Sequence, residues 1–282
     1  MFLLWGAIKA SIQDQNTLDR DRNNPETPPG AGVEYLMDQK GLISRYQNLT
    51  KIGDMWLNED QLPPGMRNGE DPIRGESAGR RDTKYRWPDK TLLYQLSDDL
   101  SRWQKGTIEW TLHGLEKKLG PNCVKFRASS SSDAVLVSTT DGCSSSVGYQ
   151  GRGRGGISLG KGCYSTGIVE HEFLHALGVY HTHNRPDRDK YVTVHFENIQ
   201  EDKKNNFKKR SNEQASTFGV PYDFDSVMHY SDRDFSKNGL KTIVPVIEPI
   251  NCDGITCPNC KIGQRFGVSI CDIELVRKMY EC

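Results

Sequence analysis

Three histidines and a glutamate lie between His171 and His181, at a spacing typical of a catalytic metal site. His171 and His175 are four residues apart, so on a helix their side chains share one face, ~5–6 Å apart at Cβ. Two imidazoles at that separation can bind one zinc ion at ~2.0–2.1 Å. Gly178 favours the left-handed conformation that ends a helix and turns the chain, which brings in His181 as a third ligand.

Glu172 follows the first histidine directly and flanks the metal without binding it. From there its carboxylate can take a proton from a zinc-bound water. Three protein ligands and one open position are typical of catalytic zinc, whereas structural sites are closed by four ligands. Two histidines four residues apart also occur by chance on apolar helices. Here three of the seven histidines of the chain fall on one pattern with the glutamate and the glycine, which favours a metal site.

The elements around this motif predict a strand-rich part before the metal-binding helix and loops after it. Apolar residues at helical spacing predict a helix over 99–119, which Gly120-Pro121 would end. Further helices are predicted over 166–177 and 272–280, and strands over 91–96, 123–128, 133–139 and 155–159. This order of elements indicates an α+β domain that is divided by a cleft.

The composition gives no indication of nucleic acid or membrane as a partner. The 37 Lys and Arg residues balance 37 Asp and Glu residues, so the net charge is zero. No apolar stretch approaches the ~20 residues that a membrane-spanning helix needs. Residues 2–8 are at the short limit of a signal-peptide core and lack a basic flank, so we interpret residues 1–15 as a weak or truncated signal segment, or a disordered end. The sequence does not indicate an oligomeric state.

All eight cysteines lie between Cys123 and Cys282, and an even number in one region is typical of disulfides in an oxidising compartment. Buried free thiols are the less favoured alternative. Four of the eight lie near the C-terminus: Cys252, Cys257, Cys260 and Cys271. The C-x-x-C spacing within this group also suits a metal or redox site, but two local disulfides are favoured, and three pairings remain open.

Five motifs of the chain resemble those of one protease family. They are HEFLHALG from His171, RPDRD over 185–189, SVMHY over 226–230, FSKNG over 235–239 and IGQR over 262–265. Together they resemble the astacin family of the metzincin clan, whose second signature is a methionine turn beneath the metal. The resemblance covers nearly all of residues 78–282.

The resemblance implies a metzincin-like α+β fold. In this fold a mixed twisted sheet and helices form the N-terminal subdomain, the zinc helix lies at the cleft, and an irregular C-terminal subdomain ends in a helix. The resemblance also places the strand over 155–159 at the sheet edge that faces the cleft, where a substrate would add as an extended strand.

The resemblance further implies roles for residues that would otherwise be taken as packing or surface residues. Met228 would be the hydrophobic floor under the zinc site, and the Tyr230 phenol would bind the developing oxyanion. Arg265 would line the pocket just beyond the scissile bond and favour acidic residues there, the alternative being a solvated surface arginine. The disulfides that the resemblance implies are Cys143–Cys163 and Cys123–Cys282.

The residues before position 78 resemble the pro-segment of a zymogen. Residues 16–77 are largely polar with several prolines, which predicts extended structure. In the family's F-x-G-D motif the aspartate occupies the open position of the zinc. Gly53-Asp54 matches this motif, whereas Lys51 replaces the phenylalanine; a simple turn is the alternative role of Asp54. We therefore expect a catalytic domain over 78–282 that is released by an activating protease.

Together these predictions describe a secreted endopeptidase that binds one Zn²⁺, acts on protein or peptide substrates, uses Glu172 as general base and is made as a latent proenzyme. One departure from the family supports an alternative. The family has a glutamate directly after the third histidine, where it receives the buried mature N-terminus, and this chain has Thr182. The alternative is a catalytically weak or inactive astacin-like binding protein. A purely structural cysteine-rich protein would not need Glu172.

Overall fold

The computed structural model describes residues 49–57, 61, 79–140, 142–151, 154–249 and 262–282. The strands in these ranges are β1 (Thr50–Ile52), β2 (Met55–Leu57), β3 (Gly79–Arg80), β4 (Thr91–Leu96), β5 (Lys125–Ala128), β6 (Val135–Ser138), β7 (Cys143–Ser146), β8 (Gly156–Leu159), β9 (Val192–Val194), β10 (Ala215–Ser216) and β11 (Ile243–Pro245). The α-helices are α1 (Arg102–Leu119), α2 (Thr166–Ala176) and α3 (Ile270–Met279). None of these helices combines the length and the apolar character that crossing a membrane requires.

Seven of the strands form one mixed sheet in the order β1-β2-β7-β8-β6-β4-β5. The pairs β8/β6, β6/β4 and β4/β5 are parallel, and β7 is antiparallel to β8. Buried side chains of the central strands, such as Leu92, Val137 and Ile157, share one hydrophobic core with Ile108 of α1 and Phe173 of α2. The α+β architecture agrees with the predicted fold class, and α2 packs its apolar side chains into the same core as the sheet.

The structure corrects the predicted position of the strand over 155–159. Strand β8 pairs with β6 on one side and with β7 on the other, so it lies inside the sheet and not at its edge. Strand β7 was not predicted, because its Cys-Ser-Ser-Ser sequence lacks apolar residues at alternate positions. Its outer side pairs with β2, so without the β1–β2 hairpin β7 would be the edge of the sheet.

Capping side chains set the starts of α1 and α3. The Ser101 hydroxyl accepts a hydrogen bond from the backbone N–H of Gln104, whose side chain accepts one from the N–H of Ser101. Ser269 and Asp272 make the same reciprocal pair at the start of α3. Helix α1 therefore begins three residues after its predicted start at Asp99, and α3 begins two residues before its predicted start.

Two disulfides connect distant parts of the domain. Cys143 of β7 is joined to Cys163, which precedes α2, and Cys123 is joined to the last residue, Cys282. These are the two pairs that the resemblance implies. The second closes a loop with a sequence separation of 159, and the entropy of such a loop corresponds to about 4–5 kcal/mol of stabilisation.

The remaining cysteines are only partly described. Cys271 of α3 also forms a disulfide. Cys252, Cys257 and Cys260 lie outside the described residues, so the pairing of this second group stays a prediction.

A glycine in the first turn of α2 allows this helix to approach the chain around residues 265–267. A Cβ atom on Gly167 would overlap the carbonyl oxygen of Arg265 and crowd the backbone nitrogen of Gly267. Gly106 and Gly114 of α1 differ, because a Cβ atom there meets no atom within 4 Å. The backbone of residue 265 is thereby held directly against the metal-binding helix.

We expect Gly167→Ala to lower the free energy of unfolding by about 1–3 kcal/mol, because the added methyl group must displace backbone. Gly114→Ala is the matched control and should raise it by about 0.5–1 kcal/mol, since alanine is the better helix former. Urea unfolding of both variants and the wild type measures the difference. Wild-type stability of Gly167→Ala would contradict the close approach.

Candidate metal centre

Helix α2 and the turn after it bring three imidazoles to one point. His171 and His175 lie one helical turn apart, the helix ends at Ala176, and Gly178 reverses the chain with φ of 104°. The reversal places Nε2 of His181 3.3 Å from Nε2 of His175. All three histidines are buried.

A fourth possible ligand comes from Asp54, in the turn between β1 and β2. Its Oδ1 lies 2.9 Å from Nε2 of His181 and 3.7 Å from Nε2 of His175, and its Oδ2 lies 3.2 Å from Nε2 of His171. One atom from each of the four side chains lies within 4.8 Å of the other three. The tight turn depends on Gly53, whose φ is +63°.

The atoms and their spacing fit a tetrahedral zinc ion. Ligand atoms at 2.0–2.1 Å from such an ion lie roughly 3.3 Å from one another. The three Asp54–histidine separations and the His175–His181 separation range from 2.9 to 3.7 Å. Nδ1 of His171 lies 2.8 Å from the carbonyl oxygen of Val227, and Nδ1 of His175 lies 2.7 Å from that of Val179. Each Nδ1 therefore donates its proton to a carbonyl, and Nε2 presents a lone pair to the shared point.

Burial sets the protonation states around this point. Burial lowers the pKa of His171 to about 3 and that of His181 to about 4, and neutral imidazole is the form that binds metal. Burial alone would raise the pKa of Asp54, but His181 and hydrogen bonds to the three histidines hold it well below its usual range.

Glu172 is buried next to the possible ligands. Burial raises its pKa well above the usual range, and the charge of Asp54 raises it further. Its Oε2 has no hydrogen-bond partner among the described residues. This carboxyl group is therefore available to a group that enters the site.

Met228 is fully buried in the turn that the SVMHY motif forms. Its carbonyl oxygen accepts a hydrogen bond of 3.0 Å from the N–H of Thr182, and its own N–H donates to Ser226 Oγ at 3.0 Å. Met228 belongs to the hydrophobic core that also contains Leu174 of α2. The methionine turn is thus bonded to the chain segment directly after His181.

Tyr230 lies between the metal site and the β1–β2 hairpin. Its ring centroid is 4.5 Å from that of His181 and 4.0 Å from that of His183. A Cβ atom on Gly53 would lie 2.6 Å from the Tyr230 hydroxyl, so the phenol points to the turn that carries Asp54. Burial raises the pKa of Tyr230 well above its usual range, which keeps the hydroxyl a hydrogen-bond donor at neutral pH.

Arg265 is hydrogen-bonded to the residue that precedes Tyr230. Its guanidinium donates to the carbonyl oxygen of His229 at 3.0 Å, and its charge lowers the pKa of both His171 and Glu172. The structure therefore brings this predicted pocket residue within electrostatic range of the site.

The hairpin that carries Asp54 was not predicted from the sequence. Strands β1 and β2 are antiparallel, and β2 runs parallel to β7. The backbone N–H of Ser145 donates to the Asp54 carbonyl at 2.8 Å, and that of Val147 donates to the Trp56 carbonyl at 3.2 Å. Lys51, which replaces the family's phenylalanine, lies with its amine 5.4 Å from the Trp56 ring. The apolar run directly after the Gly53-Asp54 turn was the available signal.

Comparisons with known proteins agree on one family. Residues 79–281 match the profile of the astacin peptidase family. Protein SpAN of Strongylocentrotus purpuratus is 34% identical over 244 residues, which cover 82% of this chain and 37% of that protein. Bone morphogenetic protein 1 of Xenopus laevis is 39% identical over 199 residues, covering 70% of this chain and 27% of that protein.

Two further relatives extend this similarity. Zinc metalloproteinase nas-13 of Caenorhabditis elegans is 34% identical over 220 residues, covering 76% of this chain and 46% of that protein. The chain therefore spans less than half the length of each of these curated relatives. Among solved structures, High choriolytic enzyme 1, a hatching enzyme zinc-protease of Oryzias latipes, superimposes with a TM-score of 0.63 at 31% identity, covering 73% of this chain and 100% of that chain.

Zinc content should separate the ligands from Glu172. We expect His181→Ala to hold less than one zinc per chain after dialysis, because a ligand is lost, whereas Glu172→Gln should keep one. Elemental analysis of both variants beside the wild type measures this. Full zinc occupancy in His181→Ala would contradict the role of His181 as a ligand, and loss of zinc from Glu172→Gln would contradict the assignment of Glu172 as a residue that does not bind the metal.

Proposed function

The chain belongs to the astacin family of zinc metalloproteases, and we propose that it is a secreted zinc endopeptidase made as a latent proenzyme. The observation that carries this proposal is the convergence of three histidine Nε2 atoms and the Asp54 carboxylate on one point beside Glu172. Secretion is supported by the disulfides of the described residues, which are typical of an oxidising compartment.

In this proposal His171, His175 and His181 hold the zinc ion. A zinc ion held there would supply Lewis acidity, which lowers the pKa of a water molecule and polarises a carbonyl. Glu172 takes the proton of the attacking water and passes it to the leaving amine. Tyr230 donates its phenolic hydrogen to the oxyanion, for which its place beside His181 is suitable.

The same proposal assigns latency to the β1–β2 hairpin. Asp54 fills the fourth ligand position, and its segment occupies the backbone N–H groups of Ser145 and Val147 at the side of β7. An extended substrate would pair with the same side of this strand. Removal of the hairpin by an activating protease therefore frees the metal and the strand together.

We divide the chain into a weak or truncated signal segment over 1–15, a pro-segment over 16–77 and a catalytic domain over 78–282. The boundary at 78 is supported by β3, which already pairs with β10 of the catalytic part and whose Arg80 N–H donates to the Gly178 carbonyl at 2.9 Å. The activating cut then falls between the hairpin and β3.

The proposed substrates are proteins or peptides with an acidic residue directly after the scissile bond. Arg265 supports this preference, because its guanidinium lies in the electrostatic range of Glu172 and His171. An acidic side chain would form a charge-assisted hydrogen bond with it.

The alternative, a weakly active or inactive binding protein, rests on Thr182. Its hydroxyl donates to Ser226 Oγ at 2.9 Å in a buried environment, where the family has a carboxylate. The presence of Glu172 and of all three histidines favours the peptidase.

Peptide hydrolysis by the processed chain tests the proposed function. We expect Glu172→Gln to lower kcat by at least about 100-fold with the zinc retained, because the general base is lost while the ligands remain. A fluorogenic peptide assay with parallel zinc analysis measures both. A processed wild-type chain that holds zinc and cleaves no peptide would favour the binding protein instead.

Latency should depend on the hairpin turn. We expect Asp54→Ala to make the full-length chain active before any cleavage, and Gly53→Ala to do the same, since its methyl group would meet the Tyr230 hydroxyl. Asp82→Ala, which removes a partly buried aspartate outside the hairpin, is the control. If Asp54→Ala has no more peptidase activity than the control before it is processed, Asp54 does not block the site.

A further inference from the structure

A buried carboxylate on the last helix is hydrogen-bonded to two adjacent residues, Ser226 and Val227, each of which leads to a different metal ligand. Asp272 is 4% exposed and lies in the first turn of α3. Its Oδ2 accepts from the backbone N–H of Val227 at 3.0 Å, and its Oδ1 accepts from Ser226 Oγ at 2.6 Å. Neither bond is needed to cap α3, so each requires another explanation.

The first bond leads to His171. Val227, whose backbone N–H donates to Asp272, accepts the Nδ1 proton of His171 on its own carbonyl oxygen, at 2.8 Å. This N–H and this carbonyl belong to neighbouring peptide groups, so the connection acts through the position of the Val227 backbone. The carboxylate thus fixes the carbonyl that orients the first imidazole.

The second bond leads to His181. Ser226 Oγ donates to Asp272 and accepts from the Thr182 hydroxyl at 2.9 Å. Thr182 follows His181 directly, and Nδ1 of His181 has no hydrogen-bond partner among the described residues. His181 therefore lacks the carbonyl contact that orients the other two histidines, and its position depends on the segment that Thr182 fixes.

We propose that Asp272 is a positioning residue of the metal centre, which holds His171 through Val227 and His181 through Ser226 and Thr182. The proposal rests on the zinc site of the proposed function but not on peptide hydrolysis. It gives Thr182 a role, since a hydroxyl at this position donates to Ser226.

The competing role of Asp272 is that of a helix cap. Its Oδ2 also accepts from the backbone N–H of Ser269 at 2.9 Å, and Ser269 Oγ accepts from the N–H of Asp272 at 2.9 Å. Ser269→Ala removes part of this cap and leaves both connections to the metal ligands. Asp223 provides a second control, because it is a buried carboxylate that contacts the same Ser269 hydroxyl, at 2.5 Å.

The test measures zinc affinity of the full-length chain by chelator competition. We expect Asp272→Asn to weaken zinc binding by about 10- to 100-fold, the range for partners of metal ligands, and to shift the visible absorption of the cobalt-substituted protein. Ser269→Ala and Asp223→Asn should stay within about twofold of wild type. Unfolding temperatures of the metal-free proteins show whether the stability of the three variants falls alike.

Equal zinc affinity for Asp272→Asn and Ser269→Ala would overturn the proposal and leave Asp272 a helix cap. Should Asp272→Asn not fold, Thr182→Val and Thr182→Ser decide the matter for His181. Thr182→Val should weaken zinc binding and shift the cobalt spectrum, whereas Thr182→Ser should keep both as in the wild type. Wild-type zinc affinity and an unchanged cobalt spectrum in Thr182→Val would overturn the proposal. These measurements use no substrate. A protein that shows the expected zinc affinities but cleaves no peptide would therefore contradict the proposed function and leave the role of Asp272 intact.

Discussion

Three imidazole lone pairs converge on one carboxylate in a buried site, at 2.9 to 3.7 Å from its oxygens, and the arrangement of the domain depends on this convergence. Buried polar groups that face one another without a proton or a cation between them are strongly destabilising. A bound zinc ion converts this repulsion into attraction. Metal binding and folding are therefore coupled, and the segments that supply or orient the ligands are stabilised together.

The chain segments that hold the ligands in place against this repulsion lie far apart in sequence. At the C-terminal end of α2, the Ala176 carbonyl accepts from the Trp87 indole N–H at 2.8 Å, and the Leu177 carbonyl accepts from the Tyr280 hydroxyl at 2.9 Å. Helix ends leave such carbonyls without partners inside the helix. Tyr280 lies at the end of α3 near Cys282, whose disulfide to Cys123 ties this terminus to the domain. The last helix thus supports the metal-binding helix at its end.

The sequence predicted the elements whose signal is the spacing of residues within one segment of the chain. The ligand helix followed from the i, i+4 histidines and the glycine after them, and α1 from apolar residues at helical spacing. Strand β7 and the β1–β2 hairpin could not be predicted in this way, because a serine-rich strand and a three-residue strand form only through their pairing partners. The edge position of β8 came from the family resemblance, and it was wrong because β7 pairs with the outer side of β8. The bond from Asp272 to Ser226 spans 46 residues and has no local signal.

The metal site is already assembled while the hairpin is in place. The Thr182 hydroxyl is bonded to Ser226, and the Asp272 carboxylate accepts from Ser226, Val227 and Ser269. Thr182 offers no carboxylate that would receive an ammonium ion. On the proposed function, activation of this chain is therefore the removal of Asp54 and its strand from a finished site, and it needs no new bond to build one.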